Sequence, residues 1–292
     1  MIEGAELPTN WGRWGESDER GTLNLITAEV RGAAVAEARS GRTVSISRPM
    51  PTSPLIAGPG APLGAHSVGV MQAGLFTGTA PLGTAELVIM MTHHPEVTHF
   101  DSLVHQVVDG KVYPGIALEQ AGGAEGYRHG STAVFGDGVV TRGVLLDLAA
   151  DGPLPEGHGV TGAELERACV RAGVRVRSGD ALVVRGGWDY AASRHRHIPG
   201  LTLDAVAWMH RHDVAVYAGD IGDGRPPVDS RVPGPLHRVA LARLGMPLID
   251  VADPTELAAA CGEEGRATFL FVAAPARLGA ASGVPVNPLA IF

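Results

Sequence analysis

Three apolar, β-prone runs at residues 179–185, 214–220 and 268–274 are separated by stretches of helical periodicity. That alternation restricts the chain to an α/β architecture. The helical stretches are well signalled. Thr161 and Glu164 have capping-box spacing and lead a helix to about 172. Residues 203–212, 236–244 and 255–260 read as further helices, and Thr27 caps a helix that runs on through 33–38. Residues 43–47, 86–91, 138–148 (one or two strands) and 247–250 add strand signals. Asp109-Gly110 is a favoured two-residue turn, which predicts a hairpin over 106–113. Strand–helix alternation combined with hairpins predicts a mixed β-sheet with flanking helices, not an all-parallel one.

No repeat or linker divides the chain, so residues 1–292 are expected to form a single domain. Residues 1–27 form an N-terminal arm that carries Trp11 and Trp14. Two tryptophans on a glycine-rich arm are expected to pack on the body, on a partner subunit or over a pocket. The proline- and glycine-rich stretch 51–64 reads as a loop and a candidate pocket lid.

Composition narrows the functional classes. A net charge of −8 argues against nucleic acid or an anionic membrane as the main partner. Lys111 is the single lysine, so Schiff-base chemistry is excluded everywhere else. Cys169 and Cys261 lie far apart in helical runs and are expected to be buried free thiols. The N-terminus has no positive segment followed by an apolar core, and no run approaches the length of a membrane span. A cytoplasmic protein is the expectation.

Four of the twelve histidines fall between His93 and His105, where even scatter would place about 0.5. His99 and Asp101 are two apart, so on an extended segment both side chains leave on the same face. Asp101 and His105 are four apart, so a helix starting near Ser102 would stack them. An imidazole, a carboxylate and a second imidazole converging at one point suit zinc, manganese or iron, or a general base beside a metal. The plainer reading is an Asp101 N-cap with two histidines as polar contacts at a helix entry.

Other candidates are read more plainly. The pairs His195/His197 and His210/His212 and the carboxylate of Glu96 read first as solvated surface. Asp220 and Asp223 read first as turn formers at a strand end, with lining of the site second. Trp188, after a strand and two glycines, reads as core before substrate wall.

Six ordered segments resemble the metal-dependent cyclase superfamily, which includes bacterial kynurenine formamidase, isatin hydrolase and polyketide cyclases. They are 10–27, 98–105, 141–147, 179–188, 235–241 and 285–292. The family signature His-x-Gly-Thr-His-x-Asp-x-Pro-x-His matches here at Thr98, His99, Asp101 and His105. Pro95 stands at the first histidine, Val97 at the glycine and Leu103 at the proline. The resemblance implies a swivelling β/β/α core and a homo-oligomer, dimer or tetramer, with a small-molecule substrate. It implies a divalent metal, zinc or manganese, on His99 and Asp101, with His93 or His94 reaching back for the missing histidine. His237 and Asp250 fall where a histidine and a glutamate complete a second position. Asp250, one methylene shorter, is expected to fall roughly 1.5 Å short. His105, with Asp101, is the expected acid/base, and Trp11, Trp14 and Trp188 are candidate walls for a flat substrate. The expected activity is a metal-dependent hydrolase or cyclase acting on a small cyclic or aromatic amide or ester. Two alternatives stay open: a metal-independent cyclase, dehydratase or isomerase using His105 and Asp101, and a non-catalytic binding relative.

Overall fold

A nine-stranded mixed sheet spans the computed structural model, which describes residues 7–50, 66–69, 76–77, 80–81, 87–189 and 196–292. Its strands are β1 (Thr43–Ser45), β2 (His99–Asp101), β3 (Val139–Asp147), β4 (Ala181–Arg185) and β5 (Val216–Gly219). They continue with β6 (Leu248–Asp250), β7 (Thr268–Ala273), β8 (Gly283–Pro285) and β9 (Leu289–Ile291). The spatial order is β1-β9-β7-β3-β4-β5-β6-β2-β8. Strands β3 to β6 run parallel, and antiparallel strands close both flanks. Parallel neighbours need long crossovers. Here those crossovers carry α2 (Gly162–Ala172), α3 (Leu203–Arg211) and the segment Leu236–Leu241. Helices α1 (Ala28–Val35) and α4 (Thr255–Glu264) complete the set used below. The mixed α/β sheet expected from the strand–helix alternation is the one observed.

The period of two along each strand divides the core. Val144, Leu146, Leu182 and Val184 face α2 and α3 in one cluster. Leu145, Ala181, Val183, Val216 and Ala218 join Leu257 and Ala260 of α4 in the other. Burying each such aliphatic side chain contributes about 1.5–3 kcal/mol, so the two-sided burial of the central strands dominates the fold's stability. Gly143 is needed where it stands: opposite Phe269 in the ladder, a Cβ there would lie 2.1 Å from the phenyl ring. The capping box at α2 is present in both directions, Glu164 Oε2 accepting from the Thr161 N–H at 2.8 Å. Cys169 and Cys261 are buried free thiols, and burial pushes them up to about 11 and about 12.

Some local expectations change. The hairpin turn at Asp109-Gly110 forms, with both residues at positive φ and Val108 and Lys111 exchanging two hydrogen bonds. Residues 138–148 hold one strand, and the helix expected at 255–260 continues to Glu264. No helix follows Asp101. The Asp101 carboxylate is turned to the histidines, and Val104 N–H, which it would cap, donates to Gly130 O at 3.1 Å. Only a turn remains, closed by His105 N–H on Ser102 O. The expected helix at 236–244 is wound wider than an α-helix. Ala242 N–H donates to His237 O and Leu244 N–H to Val239 O, both spanning five residues. Such π-type turns are rare and concentrate at functional sites.

From residue 7 onward the N-terminal arm lies on its own chain. Asn10 N–H donates to Arg243 O at 2.9 Å, and the Trp11 indole to Ala242 O at 3.1 Å. The lid expected at 51–64 falls outside the described residues. Among the described residues no helix is long and apolar enough to cross a membrane.

Candidate metal centre and active site

Strand β2 is the site's foundation. Its central residue, Phe100, points into one core cluster, so His99 and Asp101 leave together on the opposite face. In the ladder His99 stands opposite Asp250 of β6 and Pro285 of β8, while Asp101 stands opposite Gly283. That register sets the Asp250 carboxylate beside His99. His93, on the approach to β2, folds back over the strand so that its Nδ1 lies 2.8 Å from Asp101 Oδ1. Of His93 and His94, it is His93 whose ring meets Asp101. The ring fits only because residue 283 is glycine, since a Cβ there would lie 2.5 Å from His93 Cε1. Ser282 Oγ is 3.0 Å from the ring's other nitrogen, Nε2.

Asp101 is fully buried, with His99 Nε2 3.3 Å from Oδ1 and His237 Nε2 3.4 Å from Oδ2. His237 Nε2 is also 3.3 Å from Asp250 Oδ2, so the shorter side chain at 250 does reach the cluster. These atoms crowd one another, yet neither Asp101 oxygen nor His93 Nδ1 has an aligned hydrogen bond. Buried polar atoms without such bonds are costly and call for a partner.

The outer nitrogens of two rings show which partner. His99 Nδ1 is 2.7 Å from Val97 O, and His237 Nδ1 is 2.8 Å from Asp223 Oδ2. Both neighbours only accept, so each ring carries its proton on Nδ1 and turns a bare Nε2 lone pair toward carboxylate oxygens. Lone pair against carboxylate is repulsive unless a proton or a cation lies between. The protonation of the two rings answers to that demand. Burial works against a charge on His99, but the close contact with the Asp101 carboxylate and its charge, then the charge of Asp250, raise it to about 9. Burial opposes a charge on His237 too, and Asp250, Asp101 and Asp223 outweigh it, holding its pKa well above the usual range. Asp101 is correspondingly held well below the carboxylate range despite its burial. A divalent cation supplies the same positive charge and displaces those protons on binding.

Two sets of ligand atoms converge closely enough to hold an ion, and they share Asp101. One is His93, Asp101 and His105; the other is His99, Asp101 and Asp250. The outer contacts of His99 and His237 are the fixed-tautomer arrangement that metal-ligating histidines require. The residues therefore fit a divalent metal. His105 lies against this cluster with its ring stacked on His93, centroids 3.7 Å apart and planes at 12°. Burial is the main cause that depresses it to about 4, with His93 and His237 adding to it against the pull of Asp101 and Asp250.

His93, His99, His105, His237, Asp223 and Asp250 line a cavity of about 450 Å³, large enough for a small ring compound. The three candidate tryptophans stand apart from its lining. Trp188 is buried, its indole donating to Leu154 O at 2.8 Å and its ring under Arg196. Trp11 and Trp14 pack against the α2–α3 side of the core. His210 bonds to Asn10 Oδ1, His212 packs at a tilt against Trp208, and His195 lies outside the described residues. Asp220 is a structural turn residue whose carboxylate accepts from the N–H groups of Gly186, Gly187 and Trp188. Asp223, read first as a turn former and second as a residue lining the site, lines the cavity and also orients His237. Ser282 and Gly283 carry no motif, and their part in the site comes only from pairing with β2.

A model of the family described as Putative cyclase matches residues 43–223, and the chain belongs to that family. Its fold is similar to a structure described as a novel cyclase, with TM-score 0.81 and 27% identity over 97% of this chain and 99% of the other. It is also similar to isatin hydrolase A from Ralstonia solanacearum, with TM-score 0.60 and 19% identity over 90% and 97%. A third likeness is to an isatin hydrolase bound to the product analogue thioisatinate, with TM-score 0.59 and 17% identity over 91% and 99%. No curated protein matches the chain at a significant level.

Proposed function

We propose that this chain is a metal-dependent hydrolase or cyclase acting on a small cyclic or aromatic amide or ester, with His105 as its acid/base. The observation that carries the reading is the convergence of His93, His99 and His237 on the buried carboxylate of Asp101, with the outer nitrogens of His99 and His237 held by acceptors. Family membership and the fold shared with isatin hydrolases support the same reading.

His99, Asp101 and Asp250 would hold an ion, with His93 and His237, which face the same carboxylate, as its further candidate ligands, and imidazoles mixed with carboxylates suit zinc or manganese. A divalent ion bound there polarises a carbonyl and lowers the pKa of a water. The protein's own work is positional and protolytic. Val97 O and Asp223 hold the two tautomers. His105 is free to take the proton of the attacking water as its oxygen joins the carbonyl carbon. As the C–N or C–O bond breaks, the same ring returns that proton to the departing nitrogen or oxygen.

The test is elemental analysis of protein purified without chelator, beside Asp101→Asn and His99→Gln, each checked for folding by circular dichroism. Formanilide and isatin serve as probe substrates. The expected result is at least one equivalent of zinc or manganese in the wild type, its loss in the variants, and turnover that follows metal content. A folded wild type that stays metal-free after incubation with both ions would overturn the proposal.

A further inference from the structure

The same cavity carries two guanidinium groups for which the chemistry above has no use. Arg225 follows Asp223 by two residues and Arg238 follows His237 by one, so the segments that set the orienting pair also deliver both arginines. Both line the cavity and both are exposed. Their backbones are fixed in place. Arg225 exchanges two hydrogen bonds with Ile198, at 2.8 and 3.1 Å, and Arg238 N–H donates to Gly234 O at 2.9 Å.

The carboxylates that share the cavity with them are engaged elsewhere. Asp223 takes the His237 ring and the N–H groups of Leu236 and His237. Asp250 and buried Asp101 face the imidazoles. Among the described residues neither Arg225 nor Arg238 forms an ion pair, whereas Arg231, on the same connection, is bidentate to Asp229. A chain with net charge −8 has acidic groups to spare, so two unpaired cations on one cavity need an account. The guanidinium is a planar fork of donors that matches a carboxylate.

Resting on the hydrolase reading above, we propose that the substrate carries a carboxylate besides its scissile amide or ester, and that Arg225 and Arg238 bind it. The substrate is thereby turned so that its reacting carbonyl faces Asp101 and His105. Neutral amides of the same shape lack the partner and are handled less well.

Two probes with the same scissile bond test this on the metal-loaded protein: 2-formamidobenzoate, which carries the carboxylate, and formanilide, which does not. The expected result is a kcat/KM ratio of about tenfold or more in favour of the charged probe, as charge-assisted hydrogen bonds imply. The ratio falls toward one in Arg225→Ala/Arg238→Ala, through KM for the charged probe, and is partly kept in Arg238→Lys. Rising salt lowers it in the wild type. A ratio near one in the wild type, or one the double variant leaves unchanged, overturns the inference while the hydrolase reading stands. If neither probe is hydrolysed, the hydrolase reading is what fails, and calorimetry with benzoate and benzamide decides the subsite. Benzoate binding lost in the double variant supports it; binding equal in both proteins overturns it.

Discussion

His237 Nδ1 lies 2.8 Å from Asp223 Oδ2, and the same carboxylate accepts the N–H groups of Leu236 and His237. One side chain thus fixes the tautomer of the ring, its rotation and the start of the wide helical turn that carries it. Replacing Asp223 by Asn leaves one oxygen for three donors, and the amide nitrogen becomes a donor facing them. Removing an outer partner of this kind lowers metal affinity about 10–100-fold. Asp223→Asn is expected to lose zinc or manganese to a competing chelator in that range with its circular dichroism unchanged. Unaltered metal affinity would show that Asp223 only shapes the turn.

Gly283 gives a steric prediction with an internal control. A Cβ at 283 would lie 2.5 Å from His93 Cε1 and 3.0 Å from Phe100 O, whereas one at Gly279 meets nothing within 4 Å. Gly283→Ala therefore displaces either the His93 ring or the β2–β8 pairing, an overpacking change that costs about 1–3 kcal/mol. Gly279→Ala is expected to melt like the wild type. Comparing the two variants by thermal unfolding and by metal content checks both halves. Equal melting and equal metal would mean that His93 is not seated against Gly283.

How much of this was legible in the sequence depends on the range of the interactions. Alternation within β3 and β4, the Thr161 cap and the Asp109-Gly110 turn are local rules, and each produced the element it predicts. Same-face projection of His99 and Asp101 needed only the strand period, and it holds. The helix expected after Asp101 failed because its cap, the Asp101 carboxylate, faces His93 and His237, and Val104 N–H goes to Gly130 O, partners that no local window contains. The choice between His93 and His94 was undecidable for the same reason, since the gap that admits His93 is made by Gly283. Asp223 looked like a turn residue because it is one; that it also holds His237 follows from the crossover between β5 and β6. The tryptophans, candidate substrate walls in the sequence, lie outside this chain's cavity lining, and their indole N–H groups reach backbone carbonyls such as Leu154 O and Ala242 O.

Acid lability follows from Asp229. Its hydrogen bonds from Arg231 are the main reason its pKa falls to about 2, and it also accepts the Leu203 N–H at the start of α3. A carboxylate whose pKa is lower folded than unfolded stabilises the fold above its unfolded value, near 3.8. That contribution disappears as pH falls through about 2. Because Arg231 is largely exposed, solvent screening trims the contribution to about 1 kcal/mol. In urea titrations, the stability difference between wild type and Asp229→Asn is expected to be constant from pH 7 to 5. It should shrink steadily below pH 4. A difference that does not change with pH would place the effect of Asp229 in packing and not in its charge.

The sharpest separation of roles lies within the histidine cluster. His93 Nδ1 is 2.8 Å from Asp101 Oδ1, and His93 belongs to a convergent donor set, whereas His94 lines the cavity outside both sets. His93→Ala is therefore expected to reduce metal affinity at least about tenfold, as losing a ligand or its support does, while His94→Ala keeps the metal. His105 sits in a set with His93 but is assigned to proton transfer. General acid–base catalysis contributes about 10²–10⁴-fold, so His105→Ala should lose turnover in that range. It should retain metal and bind a substrate analogue. Metal content, analogue binding and turnover measured on the three variants form one experiment. If His94→Ala empties the site and His93→Ala does not, the replacement for the missing first histidine has been assigned to the wrong residue. If His105→Ala loses metal along with turnover, His105 is a ligand, and the proton must be moved by another group at the cavity.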